Sequence, residues 1–111
     1  MIIDRLPETE EMVMSVIWSF EKDLRACEIT NLIKERFERE WKLQTTLTIL
    51  SRLQTKGFIS IYKDKGEYTR LYFFHHTEIQ KEDYIQSRIK EMKDFWFGGS
   101  SETMKNFIDK V

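Results

Sequence analysis

The side chains best equipped for bond-making chemistry are two adjacent histidines, His75 and His76, one cysteine, Cys27, and two nearby glutamates, Glu38 and Glu40. They do not form a catalytic set. Neighbouring residues on a strand point to opposite faces, so His75 and His76 cannot hold one metal in regular β geometry; they are expected to be surface histidines. Glu38 and Glu40 are two apart on a predicted helix and diverge. Cys27 falls in a first helical turn, where the dipole lowers a thiol pKa, yet a small, partly buried structural thiol is the expectation. A lone cysteine excludes an intrachain disulfide and any multi-cysteine metal site. Glycine-rich phosphate loops are absent. The chain is therefore read as a non-enzyme, with no cofactor and no metal.

A different chemistry is concentrated in residues 43–56. Thr45, Thr46, Thr48 and Ser51 crowd one predicted helix, framed by Lys42, Arg52 and Lys56. Threonine is a mediocre helix former because its β-branch restricts χ1. Hydroxyls loaded onto one helix make sense where they meet phosphates and base edges in a major groove. The charge distribution agrees. Residues 34–70 carry nine basic and five acidic side chains, against three and seven in residues 1–33 and six and seven in 71–111. A local basic face is what phosphate binding needs, even in a chain of net charge −1.

The elements that must position these residues follow from periodicity and breakers. Pro7 and the acidic run Glu8, Glu10, Glu11 open a first helix, with Met12, Val13, Val16, Ile17 and Phe20 on its apolar face. After Leu24, which suits a very short strand, a second helix is predicted from about Ala26 to Glu40. Its core stripe is Ile29, Leu32, Ile33 and Phe37, and Arg25 stands where a better N-cap is expected. The third helix runs from about Leu43 to Lys56, with Thr46, Ile49, Leu50 and Leu53 inward and Gly57 as a left-handed cap. Phe58–Lys63 and Tyr68–Phe74 read as two strands around a turn at Asp64–Glu67. Three helices followed by a hairpin is the winged helix-turn-helix order.

Thr77–Gln80 has the form of a capping box opening a long helix to about Phe97. Ile85, Ile89, Met92 and Trp96 step by coiled-coil spacing along it. Gly98-Gly99 ends it, and Ser100 or Ser101 caps a last helix carrying Met104, Phe107, Ile108 and Val111. That segment is too short to hold a helix alone in water, so something must cover its apolar face. The fold class expected is mainly α with a small β-hairpin: a winged helix-turn-helix head, residues 1–75, and a C-terminal helical dimerisation arm, residues 76–111. With no apolar run long enough to span a membrane and no signal peptide, the expected compartment is the cytoplasm.

These residues resemble a family, the penicillinase and methicillin-resistance repressors, to which copper-responsive repressors also belong. The run Glu11–Trp18 is similar to its first-helix motif. Trp41-Lys42, Thr45, Thr46, Thr48, Arg52-Leu53 and Lys56-Gly57 are similar to its recognition helix, and Tyr72 and Phe74 to its returning strand. Glu82-Asp83-Tyr84 and Phe97–Ser100 resemble its arm. The similarity covers essentially the whole chain. It implies a homodimeric repressor on palindromic double-stranded operator DNA, with the third helix in the major groove. Arg52 and Lys56 would anchor phosphates, Gln44, Thr45 and Thr48 would approach base edges, and Lys63, Lys65 and Arg70 on the wing would touch backbone.

The resemblance also implies a dimer interface from Ile85, Ile89, Met92, Trp96, Met104, Phe107 and Ile108. In its β-lactam branch a membrane sensor-protease system inactivates the repressor, and Asn106-Phe107 aligns with the bond cut there. Three departures carry expectations of their own. Leu47 stands where relatives usually have Lys or Arg, so a Lys there should tighten DNA binding. The cysteine-rich tail of the copper branch is absent. The chain ends at Val111, about one helix earlier than typical relatives, which implies a weaker dimer. The competing reading is a winged-helix protein-interaction module, favoured by the net charge and by Leu43 and Leu47, an apolar i, i+4 pair on the reading face. Thymine methyl contact would explain the same leucines under the DNA reading.

Overall fold

A computed structural model describes residues 3–65 and 71–111. Arg70 and the centre of the expected wing turn lie outside the described residues. Helices α1 (Glu8–Trp18), α2 (Ala26–Phe37) and α3 (Leu43–Thr55) precede strands β1 (Ile59–Lys65) and β2 (Leu71–Thr77). Helices α4 (Lys81–Phe97) and α5 (Ser101–Ile108) follow. The fold is mainly helical with an antiparallel two-stranded hairpin, the winged helix-turn-helix arrangement with C-terminal helices. The chain divides into two compact units, residues 6–80 and residues 81–111 together with the N-terminal segment up to Arg5.

In the first unit, α1, α2 and α3 pack on one another and α3 leads into β1. The core is built from Val13, Met14, Val16 and Ile17 on α1, Ile29 and Ile33 on α2, and Ile49, Leu50 and Leu53 on α3, closed by Leu24, Phe58 and Ile59. The helical period accounts for most of it, with two corrections. Phe20 and Phe37 are exposed, because each lies just past or at a helix end, where the chain turns away from the core. Phe20 instead lies beneath the Arg36 guanidinium, 5.6 Å from its ring centroid.

Helix α2 stops at Phe37 rather than Glu40. Glu38 adopts φ 56° and its N–H closes on the Lys34 carbonyl at 3.0 Å, a left-handed ending without a glycine. At the other end, the Arg25 N–H donates to Glu28 Oε1 at 3.0 Å, so a side chain three residues on supports the start. Cys27 is exposed, not partly buried, since the first turn of α2 turns it away from the core stripe.

Helix α3 ends in a Schellman motif. The Gly57 N–H donates to the Gln54 carbonyl at 3.0 Å and the Phe58 N–H to the Leu53 carbonyl at 2.9 Å. Gly57 holds φ 80°, a backbone conformation that L side chains adopt at a cost. Strand β1 begins and ends later than expected and β2 ends later, while the expected start of β2 at Tyr68 lies outside the described residues. Ile59 pairs with Thr77 and Lys65 with Leu71, so His75, His76 and Thr77 are strand residues and Asp64 and Lys65 are not in a turn. Thr77 therefore opens no helix. Its hydroxyl donates to the Ile79 carbonyl at 2.8 Å and accepts from Trp18 Nε1 at 3.0 Å.

His75 is a further correction: it is buried, not a surface histidine. An isolated bridge joins it to Leu24, the short strand expected there. Its backbone N–H donates to the Leu24 carbonyl at 3.0 Å and its Nδ1 lies 2.9 Å from the same oxygen. Burial pushes the His75 pKa below its ordinary value; the Leu24 carbonyl and the Asp23 carboxylate pull the other way. Neighbouring His76 is on the opposite, exposed face, 3.0 Å from Asp23 Oδ1. The other Asp23 oxygen accepts from the Tyr62 hydroxyl at 2.6 Å, pushing that phenol up to about 12. One carboxylate thus ties the loop after α1 to both strands.

Candidate nucleic-acid interface

Helix α3 sorts its side chains by period. Thr46, Ile49, Leu50 and Leu53 are buried. Lys42, Leu43, Gln44, Thr45, Leu47, Thr48, Ser51, Arg52 and Lys56 are exposed. The expected hydroxyl cluster is therefore split. Thr46 belongs to the α2–α3 crossing, its Oγ1 2.6 Å from Thr30 Oγ1. The Thr30 proton is used on the Ala26 carbonyl at 2.9 Å, so Thr46 is the donor between them.

At 3.6 residues per turn, Gln44, Thr48, Ser51 and Thr55 form the row farthest from the buried one. Thr55 was missed by composition, yet the spacing from Thr48 and Ser51 would have found it. The Thr48 hydroxyl donates to the Gln44 carbonyl at 2.9 Å and the Thr55 hydroxyl to the Ser51 carbonyl at 3.0 Å. With their protons on the helix backbone, these threonines offer outward lone pairs and methyl groups. Such a surface suits amino-group donors and thymine methyls on base edges. Leu43 and Leu47, 48% and 41% exposed, flank the row on one side, Thr45 and Arg52 on the other. Arg52 makes no ion pair with a described residue, so its guanidinium is not committed to a carboxylate within the head.

On β1, Lys63 and Lys65 are exposed, and alternation places them on one face with their register partners Phe73 and Leu71. Lys63 Nζ lies 5.3 Å from the Phe73 ring centroid. Tyr72 packs beneath the Arg25 guanidinium at 4.4 Å, and Phe74 stacks on Tyr62 at 5.7 Å. Lys56 differs from the other basic residues. Its Nζ is 2.6 Å from Oε1 of Glu10, a buried carboxylate. Glu10 was read from sequence only as a helix-dipole acid, since exposure is the default for that residue type.

The second unit is different in character. Ile85, Ile89, Met92 and Trp96 of α4 are all exposed, with Phe95 beside them. Ser100 caps α5, its Oγ accepting from the Thr103 N–H at 3.1 Å. Met104 is buried, while Phe107 and Ile108 are exposed, and the Phe107 ring lies 5.5 Å from that of Phe97. Asn106-Phe107 thus sits near the end of α5 on an accessible face. A groove lined by Ile89, Met92, Met104 and Ile108 runs between the two helices. The N-terminal segment belongs to this unit through Ile3, whose N–H and carbonyl both pair with the Ser87 hydroxyl at 3.2 and 3.0 Å.

Among the described residues there is no group of three metal-ligating side chains, and no helix is long and apolar enough to cross a membrane. Against known proteins, residues 6–111 match the family model described as penicillinase repressor. The chain is similar to the methicillin resistance regulatory protein MecI of Mammaliicoccus sciuri, 28% identical over 110 residues, which is 95% of this chain and 80% of that protein. It is also similar to the MecI proteins of Staphylococcus aureus strain N315 and Staphylococcus epidermidis, each 27% identical over the same coverage.

Proposed function

Since the chain belongs to the penicillinase repressor family, and is a transcriptional repressor and not an enzyme, we propose that it acts as a homodimer on a palindromic operator. Repression is then steric: the bound dimer occupies promoter DNA. The observation that carries the reading is the two-sidedness of α3. One face is sealed into the core by Thr46, Ile49, Leu50 and Leu53, and the other presents Gln44, Thr48, Ser51 and Thr55 with Arg52 at its edge. Gln44, Thr45 and Thr48 approach base edges, with Leu43 and Leu47 against thymine methyls. Lys42, Arg52, Lys63 and Lys65 take phosphates, and Arg70 is proposed alongside them from its place in the sequence.

The exposed rows of α4 and α5 supply the dimer contact, and two joined half-site readers gain affinity from simultaneous engagement. Cutting between Asn106 and Phe107 would strip Phe107 and Ile108 from α5, together with the ring contact to Phe97, and release the operator. A sensor-protease partner of the kind known in the β-lactam branch is proposed for that step. Control of a β-lactam resistance determinant is the proposed physiological role, by likeness to the methicillin resistance regulators.

The test is selection from a random duplex pool, then titration of the recovered palindrome and its scrambled version over a salt series. The proposal expects preference for the palindrome and a log–log salt slope of about −0.9 for each phosphate neutralised. Equal, weak binding to both duplexes would favour the second reading, a protein-interaction module. The exposed pair Leu43 and Leu47 is the observation on its side.

A further inference from the structure

Lys56 sits on a different row of α3 from Gln44, Thr48, Ser51 and Thr55. It follows Ile49 by seven residues and Leu53 by three, the helical spacing of one face, and both of those are buried. Its ammonium is 2.6 Å from Glu10 Oε1; the Glu10 side chain is 2% exposed and that of Lys56 40%. A carboxylate so buried is costly without a partner, and Lys56 is the cation beside it. Drawing the ammonium away to a phosphate would leave that charge uncompensated. The pair also has a defined place in the fold. Glu10 is in the first turn of α1. Lys56 is the C-cap of α3, one residue before the Gly57 turn that launches β1.

We propose that Lys56 is a positioning residue. With Glu10 it fixes the C-terminal end of α3 against α1, and so sets the angle of the reading row and the departure of the wing, without neutralising a phosphate itself. This rests on α3 being the DNA-reading helix. It reassigns a basic residue that sequence alone places among the phosphate anchors.

The experiment compares the full-length chain with Lys56→Met, Glu10→Gln and the Glu10→Gln/Lys56→Met double variant. Each is titrated with the selected palindrome across a potassium chloride series. Lys56→Met is expected to weaken binding about tenfold or more with an unchanged salt slope. The double variant is expected to recover most of that loss, because neither charge is stranded. Glu10→Gln alone is expected to weaken binding or leave it unchanged. A slope flattened by about 0.9 per protomer in Lys56→Met, unrecovered in the double variant, would overturn the proposal. So would unaltered affinity in Lys56→Met. If Lys56→Met does not fold, Glu10→Gln decides. Freeing a phosphate anchor would tighten binding and steepen the slope, which contradicts positioning. Absence of palindrome preference in the unaltered protein would instead remove the DNA reading itself, and this assignment with it.

Discussion

The two units of this chain handle their awkward groups in opposite ways. Among the described residues of 6–80 the buried polar side chains are paired internally: Glu10 with Lys56, Thr46 with Thr30, His75 with the Leu24 carbonyl. Its large apolar side chains on α1, α2 and α3 are mostly enclosed. In residues 81–111 the apolar row of α4 and the end of α5 face outward, with Phe95 and Trp96 78% and 71% exposed. A helix as short as α5 does not persist in water on its own hydrogen bonds. The first unit therefore carries its own stability, whereas the second carries apolar surface whose value is realised only against something else. On the proposed function, a repressor divided this way would lose its assembly without losing its reading head.

The most severe way to break that contrast is to charge the arm. Ile89→Glu combined with Met92→Glu places two carboxylates in the middle of the exposed row, where burial in a dimer would strand them. Sedimentation should then report the monomer mass, where the unaltered chain reports twice that. Operator affinity should fall by orders of magnitude through loss of the second half-site. Thermal unfolding of the head should barely change. Identical masses before and after would remove the arm from assembly.

The converse cut is made in the head. Leu53 is fully enclosed and its carbonyl also closes the Schellman motif of α3. Leu53→Ala should cost about 2–5 kcal/mol of unfolding free energy, the usual range for a core leucine. Denaturant titration would show it as a lower midpoint at constant slope. A change below about 1 kcal/mol would mean that the site collapses around the smaller side chain.

How much of this was legible beforehand depends on the kind of signal. Periodicity found the buried row of α3, because four residues at helical spacing leave little freedom. A serine cap at Ser100 or Ser101, which the structure places at Ser100, and Gly57 as a helix end were also readable, each being a residue type suited to one local geometry, and Leu24 was readable as a short strand. The misses at Glu10, Thr77 and His75 share another cause: they depend on contacts distant in sequence. Glu10 is buried because a lysine 46 residues away reaches it. Thr77 looks like a cap, yet Trp18 claims its hydroxyl and pairing with Ile59 claims its backbone. His75 is buried because Leu24 returns to it. In the candidate interface, the split of the threonines between core and surface was partly readable. The commitment of Lys56 to Glu10 was not, since composition alone cannot tell a lysine that meets phosphate from one that meets a carboxylate.

His75 gives the contrast a pH dependence confined to the head. Its pKa lies below the ordinary 6.5, chiefly because burial disfavours the charged ring. The unfolded chain then binds more protons than the folded one below that value, so stability rises with pH there. The contribution is whole above 6.5 and is lost as pH falls from 6.5 toward the folded-state pKa. His75→Gln removes this titration while keeping a donor for the Leu24 carbonyl. The drop in thermal midpoint between about pH 7.5 and about pH 5.5 should therefore be smaller in the variant than in the parent. The carboxylates titrate in both proteins and cancel in the difference. An equal drop in both would show that His75 charges as easily folded as unfolded.

The smallest expected effect lies in the turns, where the two units again differ. The arm makes its helix-to-helix turn with Gly98 and Gly99, at φ 56° and 81°. The head turns from α2 to α3 through Glu38 at φ 56°, the only non-glycine with positive φ among the described residues. A side chain in that region costs about 1 kcal/mol or more, because Cβ crowds the following carbonyl. Glycine avoids the crowding but adds about 0.4–1 kcal/mol of freedom to the unfolded chain. Glu38→Gly should therefore stabilise the head by only a few tenths of a kcal/mol. The mirror substitution, Gly57→Ala at φ 80° with open space around it, keeps the conformational cost without any clash. It should destabilise the same unit by up to about 1 kcal/mol, the strain being partly offset by the lower freedom of the unfolded chain. Both are read from one denaturant transition, so the sign of each is compared within a single cooperative unit. If Glu38→Gly were the more damaging of the two, the Glu38 side chain would have to hold the turn through contacts that outweigh its backbone strain.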